Sequence, residues 1–304
     1  MPTLAPVVVT GVLPGPALWK VSKGSHVMWV LGLTSPVPKD MQWKSVDVER
    51  RIAASQALLK LPSLEVGVRT SFYRSSMMPS AWALGANPGG QSLRNVLAPD
   101  VYQHWLRLKA VYLGDHPGVE RKRPILAGRE LYEAALRQHG LVDETGLEDV
   151  VYKSAAHDGV ATIDTSYQLL LKDPGNALHA LSGKSMNDQR CLSQVLDALD
   201  GGLAQATLRA NAWATGDIDA LRGILSQVQE DACLSTLDNS PFAEALGIND
   251  IENRVRSSWV GHAEQALTRN QQTFAVLPMH ELLAQDGYLS ALKADGYAVQ
   301  APDL

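Results

Sequence analysis

The chain has 304 residues, of which 45% are hydrophobic and 19% charged, and its formal net charge is -5. This size and composition are typical of a soluble globular protein whose core is large enough for one α/β domain or two small ones. A mildly acidic chain lacks the basic surface that nucleic acids require, and no apolar run reaches the roughly 18–20 residues that cross a bilayer. We therefore expect neither nucleic-acid binding nor a transmembrane segment.

The first residues predict an extended arm ahead of the fold. Residues 1–15 are rich in proline, valine and glycine, with neither a basic leader nor a full apolar signal core. Two interpretations stay open, a cytoplasmic start or a mature or recombinant start from which a leader was removed.

A β-hairpin, a helix and a strand are the first regular elements that the sequence predicts. Runs rich in β-forming residues over 17–22 and 26–31 flank Lys23-Gly24-Ser25, which is the pattern of a hairpin with a glycine-containing turn. Apolar residues at helical spacing predict a helix over 45–59, and a strand follows over 63–68. This alternation favours a partly parallel sheet with helices packed on it.

Helices dominate the remainder of the chain. The predicted helices cover 101–113, 129–139, 146–158 and 282–292, together with a largely helical block from about 176 to 270, and the predicted strands cover 160–164, 273–277 and 296–300. We predict an α/β fold with a mixed central β-sheet formed from both chain ends, flanked by helices, with a largely helical insertion. We expect residues 16–304 to form a single domain.

The two cysteines, Cys191 and Cys233, both lie in helical contexts. They are either two buried small residues or one disulfide that clamps a helical segment, the second being expected of an exported protein. Because neither has a histidine or cysteine neighbour at short spacing, they do not predict a zinc site.

Two apolar strands near the chain ends finish in similar short motifs. The first leads into Gly32-Leu33-Thr34-Ser35 and the second into Leu277-Pro278-Met279-His280. Open α/β proteins bind ligands and metals past the carboxyl ends of their strands, so we expect the two motifs to share one pocket. A metal site there needs an imidazole at both tips, and this pair supplies one.

Five weak motifs follow one another between about residues 15 and 300. They are Leu18-Trp19-Lys20-Val21 with Gly32-Leu33-Thr34-Ser35, Gly146-Leu147-Glu148, Ile163-Asp164-Thr165, Trp213-Ala214-Thr215-Gly216-Asp217, and a closing set of Phe274 to His280, Asp286-Gly287 and Gly296-Tyr297. In this order they resemble the TraB/GumN family, which is related to Tiki-type metalloproteases and more distantly to ChaN-like and erythromycin-esterase-like proteins. The resemblance implies an α/β fold and a bacterial, periplasmic or secreted setting, with the cytoplasm as the alternative. For the related peptidases it also implies a divalent metal near the two tips with a nearby carboxylate.

The chain departs from that family pattern at both tips. Ser35 stands at the family's histidine position and Leu277 at its glycine position, whereas His280 remains. The resemblance implies Glu65, Asp164 and His280 as ligands of Mn or a similar ion. The candidate catalytic residues of this chain are Ser35, Glu65 and His280.

Three hypotheses of function follow. The first is a TraB/GumN-like protein with a degenerate metallohydrolase site, whose cleft, lined by Ser35, Glu65, Asp164 and His280, binds a peptide, a glycan-related ligand or a partner protein. The second is an active divalent-metal-dependent peptidase or hydrolase with a variant ligand set. The third, haem or other cofactor binding through His280 or a tyrosine, depends on the ChaN-like kinship alone. A further alternative is Ser35 as a nucleophile with His280 as its base, although the chain has no Gly-x-Ser-x-Gly elbow at Ser35.

Overall fold

The computed structural model describes residues 15–68, 85–143, 145–171, 188–201, 203–225 and 250–302. Its strands are β1 (Leu18–Lys23), β2 (His26–Leu33), β3 (Val37–Pro38), β4 (Ala57–Leu59), β5 (Leu64–Val68), β6 (Leu141–Val142), β7 (Ala161–Ile163), β8 (Tyr167–Leu171), β9 (Gln272–Pro278) and β10 (Ala298–Gln300). The α-helices of the described part are α1 (Val46–Ala53), α2 (Leu93–Val96), α3 (Pro99–Tyr112), α4 (Pro124–Gln138), α5 (Thr145–His157), α6 (Gln189–Asp200), α7 (Ala204–Thr215), α8 (Ile218–Leu225), α9 (Ile251–Arg269), α10 (Met279–Leu283) and α11 (Tyr288–Ala294). Residues 1–14 of the predicted arm lie outside the described residues.

A six-stranded mixed sheet forms the centre of the fold, in the order β10-β1-β2-β9-β4-β7. Strand β1 is antiparallel to β2 and β10, whereas β2, β9, β4 and β7 run parallel to one another. The predicted hairpin is confirmed, since β1 and β2 pair across a turn in which Gly24 takes a φ of 61°. The predicted mixed α/β sheet built from both chain ends is therefore confirmed.

The predicted helix over 45–59 is wrong in its second half. Helix α1 ends at Ala53, and the next apolar run becomes β4, between β9 and β7 in the sheet. Leu58 and Leu59 are fully buried there, as expected of a parallel strand covered on both faces. The strand predicted over 63–68 does form, as β5, but it pairs with β8 in a separate two-stranded parallel sheet.

The predicted helix over 282–292 is also wrong, because α10 and α11 are two helices separated by a break. Ala284 is extended after α10, and Gly287 precedes α11. A Cβ on Gly287 would lie 2.2 Å from the carbonyl oxygen of Glu281, so only glycine fits this approach. Because of this break, α10 is a separate short helix directly after β9, and it carries His280.

The described helices pack into two larger cores, and a small third cluster joins Leu136 of α4 to Ala206 of α7. The larger core lies against the central sheet and includes residues of α1, α5 and α7 to α11. A second core joins α3, α4 and α6 around the fully buried Trp105, Leu131 and Leu192. Among the described parts of the predicted helical block, α6 therefore belongs to the second core and α7 to α9 to the first.

Cys191 is buried on α6. Its predicted partner Cys233 lies outside the described residues, so the disulfide stays a prediction. Within the described ranges, no helix has the length and apolar character needed to span a membrane.

Candidate functional site

The two tip motifs lie side by side at one edge of the sheet. Strands β2 and β9 are parallel neighbours, with Gly32 opposite Leu277 and Leu33 opposite Pro278. Parallel strands end at the same edge, so Ser35 and His280, each two residues past its strand, reach the same region. Gly32 allows this closeness, since a Cβ there would lie 2.7 Å from Cε of Met279.

A cavity of about 490 Å³ opens at these two tips. Its polar lining residues are Thr34, Ser35, Ser63, Asp143, Glu252, His280 and Glu281, and its walls are Leu33, Pro36, Leu61, Pro62, Leu64, Tyr132, Leu225, Ile251, Val255, Pro278, Met279 and Tyr288. Ser35 and His280 thus face one cavity, as the adjacency of the tips predicts. The volume lies within the range typical of small-ligand sites.

Ser35 is held on both its side chain and its backbone. Its hydroxyl donates a hydrogen bond to Oδ1 of Asp143, and its carbonyl oxygen accepts one from the guanidinium of Arg209 on α7. The peptide bond between Ser35 and Pro36 is cis. The Ser35 hydroxyl therefore lies in the cavity with its proton already directed to a carboxylate.

The pairing of β3 with β6 brings Asp143 to Ser35. Val37 lies opposite Val142 in this short antiparallel pair, and Asp143 is the next residue after β6. Gly146 in the first turn of α5 packs close to the pair, since a Cβ there would lie 3.0 Å from Cγ2 of Val142. This contact gives a physical reason for the glycine of the Gly146-Leu147-Glu148 motif.

Two buried tryptophans fix the backbone at the tips of β2 and β4, the two strands that flank β9. Nε1 of Trp213 donates to the Gly32 carbonyl at 2.5 Å, and Nε1 of Trp259 donates to the Lys60 carbonyl at 3.1 Å. Both indoles are at most 1% exposed, so each bond satisfies a carbonyl at a site that water reaches poorly. Gly216, with a φ of 71°, ends the helix of Trp213. The tips are therefore braced from α7 and α9.

Glu281, Arg256 and Tyr288 form a charged and aromatic group beside His280. Nη2 of Arg256 lies 3.8 Å from Oε2 of Glu281, and its Cζ lies 5.8 Å from the centre of the Tyr288 ring. The Tyr288 ring meets Trp259 edge to face, with 5.3 Å between the ring centres. Burial, followed by the charge of Glu281, raises the pKa of the Tyr288 hydroxyl, so it stays protonated as a hydrogen-bond donor.

Glu65 and Asp164 do not line the cavity. Glu65 is exposed and is the second residue of β5, opposite Gln168 in the separate two-stranded sheet. The strand that ends beside β9 is instead β4, and the residue after it is Lys60. Asp164 does lie at a carboxyl end, directly after β7, where its Oδ1 accepts the backbone N–H of Ser166 at 2.9 Å. This bond is the main reason that the pKa of Asp164 is lowered.

The expected convergence of metal ligands is not found in the described ranges. No three histidine, cysteine, aspartate or glutamate side chains of these residues group closely enough to hold a metal ion. Of the predicted set of Glu65, Asp164 and His280, only His280 lines the cavity. Their arrangement does not fit a three-ligand divalent site.

Sequence reasoning missed four of the cavity's polar or aromatic groups, namely Asp143, Glu252, Glu281 and Tyr288. Asp143 follows a strand of only two residues, which is too short to be predicted from an alternating apolar pattern. Glu281 had a signal, since it directly follows His280. Tyr288 follows the glycine of the Asp286-Gly287 motif, whose glycine the break after α10 requires.

A sequence model of the TraB/PrgY/gumN family matches residues 17–301. No curated protein and no solved structure matches the chain. The matched range runs from the start of the hairpin to the end of β10 and so contains every element that forms the cavity.

Proposed function

The chain belongs to the TraB/PrgY/gumN family, and from this premise we propose that its strand-tip cavity is a ligand-binding site in which a metallohydrolase site is degenerate. The supporting observation is the cavity shared by Ser35 and His280, in which the Ser35 hydroxyl is bonded to Asp143. A neutral hydroxyl is a poor substitute for an imidazole as a metal ligand. The periplasmic or secreted location implied by the resemblance is part of this proposal.

We propose a peptide segment as the ligand. Leucine, isoleucine, valine and proline side chains form most of the cavity walls, and such walls favour the apolar side chains of a peptide. A glycan carries many hydroxyl groups, each of which costs free energy when it is buried without a hydrogen-bond partner. The seven polar lining residues can instead satisfy the few backbone groups of a short extended segment.

Isothermal titration calorimetry with acetyl-Leu-norleucine-Leu-amide tests peptide binding directly. The variant Val255→Trp fills the cavity from α9, and Val111→Trp places the same side chain at an exposed position on α3 as the matched control. We expect saturable binding that weakens at least about tenfold, or about 1.4 kcal/mol, in Val255→Trp and is retained in the control. Absence of binding, or equal affinity in Val255→Trp, would contradict the proposal, as would preferential binding of a neutral trisaccharide.

The active metal-dependent hydrolase is the competing hypothesis. It requires Glu65, Asp164 and His280 to act on one ion, and only His280 of these lines the cavity. Calorimetry with Mn²⁺ and a peptidase assay before and after chelation separate the two functions. Activity that is lost both on chelation and in His280→Ala would overturn the degenerate site. A Soret shift on haem titration that disappears in His280→Ala would instead favour the cofactor hypothesis.

A further inference from the structure

Apart from His280, the described acidic and basic side chains that line the strand-tip cavity are all carboxylates. Among the described residues, its carboxylates are Asp143, Glu252 and Glu281, and no lysine or arginine lines it. His280 is the one imidazole that the described residues contribute to this lining. A cavity with this charge pattern attracts cations and repels carboxylates and phosphates.

Two arginines near the cavity, Arg209 and Arg256, contact the protein's own residues. Arg209 donates to the carbonyl of Ser35, and Arg256 lies against Tyr288 and Glu281. At 3.8 Å, the contact between Arg256 and Glu281 is longer than a hydrogen bond, and within the described residues Oε2 of Glu281 accepts none. Such a pair compensates the carboxylate less completely than a bidentate arginine would.

The cavity walls set the rest of the ligand's chemistry. Carboxylates that face apolar walls suit a group with an aliphatic stem and a cationic end, as in a lysine side chain. Within the proposed function, on which this step rests, we infer that the cavity selects peptides in which a lysine or arginine is flanked by apolar residues. The stem then packs on walls such as Leu61 and Val255 while the cation meets the carboxylates.

The test compares three peptides on the intact protein by calorimetry. Acetyl-Leu-Lys-Leu-amide carries the cation, the norleucine peptide has a neutral side chain of similar length, and acetyl-Leu-Glu-Leu-amide carries the opposite charge. We expect the lysine peptide to bind about tenfold more tightly than the norleucine peptide, and the glutamate peptide more weakly than both. The preference should shrink when the salt is raised from roughly 20 to 200 mM, because salt screens partly exposed charges.

Charge-neutral variants assign the effect to the cavity. Glu252→Gln and Glu281→Gln should each reduce the lysine preference by roughly threefold, as expected when one partly exposed charge pair is lost. Glu264→Gln, on α9 with Glu252 but absent from the cavity lining, should retain it. Having two independent variants keeps the test decisive if one of them folds poorly.

The outcomes separate this inference from the proposed function. Equal affinity for the lysine and norleucine peptides overturns the inference and leaves peptide binding standing. A lysine preference that persists undiminished in both folded glutamine variants also overturns it. Failure of every peptide to bind overturns the inference together with the proposed function.

Discussion

Gly287→Ala should destabilise the protein and disturb the cavity at once. The new Cβ would lie 2.2 Å from the carbonyl oxygen of Glu281 and 3.2 Å from Cβ of Ala284. Carbon and oxygen atoms without a bond between them stay more than 3 Å apart in real structures, so α10 or α11 must move by about 1 Å. Overpacking of this kind costs about 1–3 kcal/mol, and we expect the upper end because the atom that is struck belongs to the backbone. Because α10 carries His280 and α11 carries Tyr288, a shift of either helix moves a residue of the cavity lining and should weaken peptide binding.

Gly261→Ala is the matched control. Gly261 lies inside α9, where an added Cβ would have no neighbour within 4 Å. Alanine is better than glycine in a helix interior by about 0.5–1 kcal/mol, so this variant should be more stable than the wild type. The two substitutions add the same methyl group, and we expect them to change stability in opposite directions.

Urea unfolding followed by tryptophan fluorescence measures both variants, with the free energy of unfolding extrapolated to water. Calorimetry with the norleucine peptide then reports on the cavity. The reasoning is refuted if Gly287→Ala is as stable as the wild type. A loss of more than about 1 kcal/mol in Gly261→Ala would contradict the packing around α9 instead.

Two further substitutions test the strand tips. Trp213→Phe should lower the free energy of unfolding by about 3 kcal/mol, because it removes buried ring atoms and leaves the Gly32 carbonyl without its donor; a loss under about 1 kcal/mol in urea would contradict the bracing role. Tyr152 on α5 accepts the backbone N–H of Leu61, two residues past β4, at 3.1 Å. Burial raises the pKa of Tyr152 to about 12, so the stability due to its protonated hydroxyl is complete below about pH 10 and is lost as the pH rises towards 12. The urea midpoint of the wild type should therefore fall more steeply between pH 10 and 12 than that of Tyr152→Phe, and parallel pH profiles would contradict the shift.

The sequence predicts the part of the fold that depends on long or well-marked elements. The hairpin has a glycine turn between two β-rich runs, and β9 is a run of apolar residues long enough to read as a buried strand. Their placement side by side follows from both chain ends supplying the sheet. Hence the shared pocket of Ser35 and His280 could be expected before the structure was seen.

The remaining features depend on contacts that local patterns do not carry. The three residues of Ala57–Leu59 are apolar and continue the apolar stripe of the preceding helix, so the local pattern predicts more helix. They form strand β4 because they pair with β9 on one side and β7 on the other. Because β4 was not predicted, Glu65 was assigned to the strand end beside β9, where the structure has Lys60. The pairing of β3 with β6 involves two residues on each strand, and therefore nothing in the sequence links Asp143 to Ser35.

Ser35→His tests whether the cavity is a metal site that has lost one ligand. The substitution places an imidazole at the tip of β2, in the cavity that His280 already faces from β9. Two imidazoles and a carboxylate such as Asp143 are ligands that divalent transition metals accept, so affinity for Mn²⁺ should rise at least about tenfold. Calorimetry measures the gain, with Ser35→Ala as the control that should show none. Adding His280→Ala to Ser35→His should abolish the gain in affinity. A gain that survives in the double variant would mean that the ion binds elsewhere. If a folded Ser35→His variant shows no gain, the two tips do not form the remains of one metal site.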